Sequence, residues 1–233
     1  MINEYILGCV KKYSFTYKLY WELKGAKFYL LSSPSKEPHM TETEKELFYN
    51  VISDSNVILE FGSGGSTVYA LEQGKKVFSI ESSRWFVRLM KKSPVIKKAI
   101  QDDNLLYYQV RMGTTKEWSI PLNSELGELY WKKSVETISS MPVSIVKNYW
   151  DKVDTIFIDG RYRVSCALNA LITFPKVNKF VIHDYTNRPQ YHILENFFIR
   201  KYEAGTLAVL EPNTLFDIAE IKQYLIRYRN IYD

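Results

Sequence analysis

Short apolar runs, each closed by an acid or another polar residue and followed by a helical pattern, recur along this chain. Val57-Ile58-Leu59 with Glu60, Val77-Phe78-Ser79-Ile80 with Glu81 and Leu105 to Val110 read as three strands. Thr155-Ile156-Phe157-Ile158 with Asp159, and Phe180-Val181-Ile182 with His183-Asp184, read as a fourth and a fifth. The runs are nearly continuous in apolar character, as in strands covered on both faces. Helical patterns lie between them. Thr41-Glu42-Thr43-Glu44 is a capping box with acids in the first turn, and Leu47, Phe48, Val51 and Ile52 give the helix behind it one apolar face. Helices are predicted over Val68 to Glu72, Arg84 to Met90 and Val164 to Ile172, and again over Pro189 to Arg200. Leu207 to Leu210 is a candidate sixth strand, and Leu215 to Arg229 a last helix with Ile218, Ile221, Leu225 and Ile226 in register. Strands alternating with helices predict an α/β fold of Rossmann type, a mostly parallel doubly wound sheet.

Two segments stand outside that rhythm. Residues 1–38 form an aromatic and basic arm, read as a helix and an extended piece, with Tyr13, Phe15, Tyr17, Tyr20 and Trp21 among Lys11, Lys12, Lys18 and Lys24. It suits a lid, a homo-oligomer contact or a peripheral membrane contact as well as simple packing on the domain edge. Residues 39–233 form the main domain, with an insertion at about 111–150 that is longer than an ordinary α/β connection. A helical patch is expected there around Leu126 to Ile138, and the insertion is assigned to acceptor recognition.

The turn after the first strand carries the chemistry. Gly62-Ser63-Gly64-Gly65 places three glycines in four positions, where a ligand can approach the backbone closely, and Ser66 or Thr67 is a natural helix N-cap. A dinucleotide fingerprint wants a glycine at position 67, where Thr67 stands, and Glu60 would repel a pyrophosphate. Glu60 suits a cationic ligand. Glu81 lies 21 positions further on, where a parallel-sheet nucleotide site places its ribose acceptor, and Ser82 follows it.

Composition changes little. Hydrophobic residues make up 46% and charged residues 24%, ordinary for a soluble globular protein. Aromatics at 15% are high and fit a sugar-binding cleft. The net charge of +5 is spread along the chain without a basic run, so no nucleic-acid partner is expected. Cys9 and Cys166 have no CxxC spacing, which makes a reducing cytoplasm the default. No apolar stretch reaches the length of a membrane span, and the opening residues lack a signal-peptide pattern.

Strand ends in a parallel sheet meet at one crevice, so Glu60, Glu81, Asp159, His183 and Asp184 are expected to converge. His183 is the candidate general base, with Asp184 or Asp159 orienting it or serving instead. The same three residues are hard or borderline ligands for a divalent metal. Arg161, Arg163 and Arg188 are candidates for binding an anionic acceptor, with Tyr185 and Trp118 as aromatic neighbours.

Three motifs in order, Gly62-Ser63-Gly64-Gly65-Ser66-Thr67, Asp159-Gly160-Arg161-Tyr162-Arg163-Val164 and His183-Asp184-Tyr185-Thr186-Asn187-Arg188-Pro189-Gln190-Tyr191-His192, carry a family resemblance. Over roughly residues 40 to 210 the chain resembles a bacterial subgroup of the class I S-adenosylmethionine (SAM)-dependent methyltransferases. The resemblance implies the fold and a SAM site at Glu60, Gly62 to Thr67, Glu81 and Ser82. With the His–Asp pair it favours O-methylation of a small polar or carbohydrate acceptor. A non-catalytic binding or assembly module and an NAD-type oxidoreductase are the rival readings.

Overall fold

The computed structural model describes residues 15–110, 114–120, 152–213, 216–228 and 231. The first 14 residues of the arm and the helical patch expected over 126–138 lie outside them. The elements in chain order are α1 (Phe15–Leu31), α2 (Glu42–Ser53), β1 (Val57–Phe61), α3 (Gly65–Glu72), β2 (Lys76–Glu81), α4 (Arg84–Met90), α5 (Pro94–Gln101), β3 (Leu105–Gln109), β4 (Thr155–Ile158), α6 (Arg163–Thr173), β5 (Lys179–Ile182), β6 (Phe198–Ala204), β7 (Leu207–Pro212) and α7 (Ile218–Tyr228). One sheet of seven strands runs in the order β3-β2-β1-β4-β5-β7-β6. The first five strands are mutually parallel, β7 is antiparallel to β5, and β6 is antiparallel to β7.

The near-continuous apolar runs have a direct structural cause. Leu59, Ile156, Ile158, Phe180 and Ile182 pack into a core on one face of the sheet. Their neighbours Ile58, Phe157 and Val181 pack into a second core on the other face, with Phe48 and Ile52 of α2 and Val68 of α3. Both faces are covered, so neither set alternates with polar residues. Phe157 is fully buried, and truncating such a ring to alanine typically costs about 3–5 kcal/mol.

The end of the sheet differs from the sequence reading. The strand at 207–210 is β7 rather than a sixth strand, and the expected helix over 189–200 is a 3₁₀ segment (Pro189–Asn196) followed by β6. The β6–β7 hairpin turns at Gly205, whose φ of +54° lies in the left-handed region that favours glycine. As the edge strand, β6 exposes most of its residues and carries no apolar run to announce it. The described part of the arm, α1, lies along α4, with Gly25 against the Trp85 ring and Glu22 accepting from Trp85 Nε1 at 3.0 Å.

Candidate active site

The glycine turn leaves β1 and enters α3. Gly62 has a φ of +95°, and a Cβ there would lie 2.5 Å from the amide nitrogen of Gly160. The turn after β1 and the turn after β4 therefore touch, which brings the glycines beside Asp159. Among the described residues a Cβ on Gly64 would meet nothing within 4 Å, so the backbone there is open to a ligand on their side. Gly65 lies under the carbonyl of Glu37, where only a glycine leaves room. The N-cap of α3 is Gly64 rather than Ser66 or Thr67. Those two hydroxyls turn inward instead.

Glu60 sits within β1, buried, and three hydroxyls donate to it. Ser66 Oγ meets Oε1 at 2.6 Å, and Thr67 Oγ1 and Ser79 Oγ meet Oε2 at 2.5 and 2.6 Å. Burial pushes its carboxyl up to about 7 against the pull of those hydroxyls. Thr67 Oγ1 also accepts from the Gly64 amide at 3.0 Å, so one threonine ties the acid to the turn. Glu81 closes β2. Its Oε1 accepts from the amides of Ser82 and Ser83, both at 2.7 Å, and from Ser119 Oγ at 3.1 Å. Its Oε2 faces Ser63, whose hydroxyl also meets the Tyr107 hydroxyl at 2.5 Å.

Across the crevice, Asp159 follows β4 and His183 follows β5. His183 Nδ1 and Asp159 Oδ1 are 3.0 Å apart. Burial pulls the imidazole down, but the hydrogen bond and charge of Asp159, with the charge of Asp184, outweigh it and leave the pKa above 6.5. Burial pushes the Asp159 carboxyl up, and the His183 bond with the Arg163 charge holds it below its ordinary value. Asp159 is thus the partner of His183, while Asp184 turns elsewhere. Asp184 Oδ2 meets Arg163 at 3.0 Å and Arg188 at 3.1 Å.

The three arginines do not behave alike. Arg163 is buried and its fork is taken up internally, by the carbonyls of Gly160 and His183 and by the carboxylates of Asp159 and Asp184. That geometry gives it a structural role, in place of the acceptor contact expected from sequence. Arg188 pairs with Asp184 and reaches the Tyr191 hydroxyl at 3.3 Å. Arg161 is half-buried, and its Nε donates to the Trp118 carbonyl at 2.8 Å. Burial, together with the charges of Arg163 and Arg188, lowers its pKa. Trp118 is exposed and stands over the site through that carbonyl. Tyr185 is buried away from the crevice, its hydroxyl on Glu195 at 3.3 Å, so it does not serve as an aromatic wall.

Glu44 was not among the residues singled out for chemistry. Its capping-box role holds, with Oε2 accepting from the Thr41 amide at 2.7 Å. The other oxygen accepts from the amide and hydroxyl of Thr206, at 2.6 and 2.7 Å. Burial pushes its carboxyl up, but the Thr206 and Thr41 bonds hold it at about 2. Its Oε2 lies 3.8 Å from His183 Nε2, so the imidazole stands between two carboxylates. The capping box was the available signal, but nothing local said that it would face the fifth strand.

Asp159, His183 and Asp184 each bring a ligand atom within 4.8 Å of the others. The donor set does not fit a divalent cation. Asp184 is already shared by two guanidinium groups, and Asp159 is held by His183 and Arg163. A hard cation would have to displace those charges while facing Arg161 as well.

Five parallel strands, with antiparallel β7 between β5 and the edge strand β6 and a glycine turn at the carboxyl edge, make the arrangement of the class I methyltransferase fold. No protein-family model and no curated protein matches the sequence. Among solved structures, the chain is similar to a methyltransferase-like protein from Silicibacter pomeroyi, with 27% identity, 84% of this chain and 98% of that chain covered, and a TM-score of 0.68. It also aligns with a methyltransferase from Geobacter sulfurreducens (13% identity, 91% and 95% covered, TM-score 0.45) and with an O-methyltransferase from Bacillus cereus in complex with SAH (14%, 91% and 100%, 0.46). The fold is that of the class I SAM-dependent methyltransferase superfamily.

Proposed function

We propose that the protein transfers a methyl group from SAM to a hydroxyl of a small polar acceptor, a carbohydrate or similar polyol, with His183 as the base. The observation that carries this reading is the contact of Gly62 with Gly160 beside the His183–Asp159 pair. It sets a glycine turn suited to a cofactor against a paired imidazole and carboxylate.

SAM, when bound, supplies a methyl group already activated by a sulfonium. The open backbone at Gly64 and the carboxylate of Glu81 fit such a ligand, because the hydroxyls of Ser63 and Ser119 on Glu81 can give way to ribose hydroxyls. On the acceptor side, Asp159 holds the Nδ1–H of His183, leaving Nε2 to take the hydroxyl proton. With the methyl group passing from the sulfonium to the acceptor oxygen, the hydroxyl proton would stay on the imidazole. Asp159, with Glu44 at 3.8 Å, stabilises the imidazolium that forms. Arg161, at the rim beside Trp118, suits an acceptor bearing a carboxylate or phosphate.

Titration calorimetry with SAM tests the cofactor half. The parent protein is expected to bind, and Glu81→Ala to bind about ten- to a hundredfold more weakly, the usual loss for a hydrogen bond to a charged acceptor. A folded parent protein without SAM affinity would overturn the reading.

A further inference from the structure

α1 packs on α4 through Tyr29, Glu22 and Gly25 and leaves a second apolar side in water. A surface helix normally buries its apolar side and shows its polar side to water. Here Glu22 and Gly25 face α4, and Glu22 takes Trp85 Nε1 and the Arg84 guanidinium. Phe15, Leu19, Leu23 and Leu30 point outward, at 78%, 43%, 61% and 71% exposure, and none of the 17 residues is buried. Leu19, Leu23, Ala26 and Leu30 fall at spacings of four, three and four, so three leucines line one continuous stripe. Exposed Lys27 and Tyr20 border it.

Charge decides what covers that stripe. α1 contributes Lys18, Lys24 and Lys27, and α4 with its cap contributes Arg84, Arg88, Lys91 and Lys92. Against Glu22 these give a net of six, more than the net charge of +5 for the whole chain. Lys24 is offset locally by Glu117 at 2.6 Å, which leaves the corner strongly basic. A second copy laid on this face would bring two such corners together, and like charges across an interface oppose association.

We propose that the outward face of α1 docks on an anionic lipid surface. Leucines and Phe15 enter the headgroup boundary, Lys27 extends its stem along them with the ammonium at the surface, and exposed Lys18, Arg88 and Lys91 add longer-range attraction to acidic headgroups. The role is independent of methyl transfer.

Sedimentation of the full chain with phosphatidylcholine vesicles, with and without phosphatidylglycerol, tests it. Binding is expected only with phosphatidylglycerol and should weaken as salt rises. Leu19→Ser with Leu23→Ser should cut partitioning more than tenfold. Lys27→Gln, a change at an exposed position that leaves the α1–α4 contact intact, should cut it about fivefold. Far-UV circular dichroism and a melting curve confirm that each variant is folded. A protein that stays in the supernatant with both vesicles, or binds both equally, overturns the proposal. So does a dimer in sedimentation equilibrium that the leucine variant disperses, because the partner is then a second copy.

Discussion

The two halves of the strand-end crevice hold their acids by different means. Beside β1 and β2, Glu60 and Glu81 are met by hydroxyls and backbone amides, all of them neutral. Beside β4 and β5, Asp159 and Asp184 are met by His183, Arg163 and Arg188. Neutral donors stabilise a carboxylate but leave its charge uncompensated, whereas guanidinium groups cancel it. On the proposed function, such a crevice would be graded, with Glu81 leaving negative charge on the side assigned to SAM and the guanidinium groups offsetting it on the side assigned to the acceptor. A field of that shape would suit two ligands of opposite charge in one cleft.

The sharpest way to break the contrast is at His183. His183→Ala is expected to lower turnover by about 10²–10⁴-fold, the range for a general base, with SAM affinity unchanged. Because the pKa of His183 lies above 6.5, the imidazole is charged and unable to accept a proton at lower pH. Turnover should rise with pH through that raised value. The stability contributed by the pair runs the other way: it is complete below about 6.5 and is lost as pH rises through the folded value. A turnover that is flat across neutral pH, or a variant of full activity, removes His183 from the chemistry.

Arg163 comes next. Arg163→Met leaves Asp159 and Asp184 without their shared cation and should cost about 3–5 kcal/mol in urea unfolding, as when one partner of a buried pair is removed. A loss under about 1 kcal/mol would mean that the acceptor half does not depend on guanidinium charge. The smallest expected effect is at the rim. Arg161→Lys keeps the charge but loses the planar fork, and should raise the acceptor's KM roughly fivefold, about 1 kcal/mol, without altering SAM binding. An unchanged KM for an anionic acceptor makes Arg161 structural, as in its bond to the Trp118 carbonyl.

Much of this architecture was legible in the residues. Runs such as Thr155-Ile156-Phe157-Ile158 announce strands covered on both sides, and Glu81, Asp159 and His183 at or just after the strand ends mark the carboxyl edge of the sheet. The β6–β7 pair was harder to see, because Phe198 to Ala204 is an exposed edge strand behind a proline-led turn and carries neither period clearly. In the site, the glycine turn and the His183–Asp159 pairing follow from parallel-sheet geometry. The hydroxyl cage on Glu60 does not, since Ser79 reaches it from the adjacent strand, 19 positions on. Arg163 was misread for a related reason. A basic residue opening a helix ordinarily faces solvent, but Tyr162 precedes it in a left-handed conformation, φ 61°, and α6 starts with the guanidinium directed under the sheet edge.

The bond from Glu44 to Thr206 spans 162 positions of the chain. Glu44 is made early and caps its own helix at once, but the residue that fixes its other oxygen belongs to a hairpin made near the end. Until residue 206 has been synthesised, the carboxylate beside His183 is held by the Thr41 amide alone, and the β5 strand has no antiparallel neighbour. Closing so large a loop is among the slowest kinds of contact to form. The surroundings of the imidazole are thus complete only once residue 206, 162 positions after Glu44, has joined them.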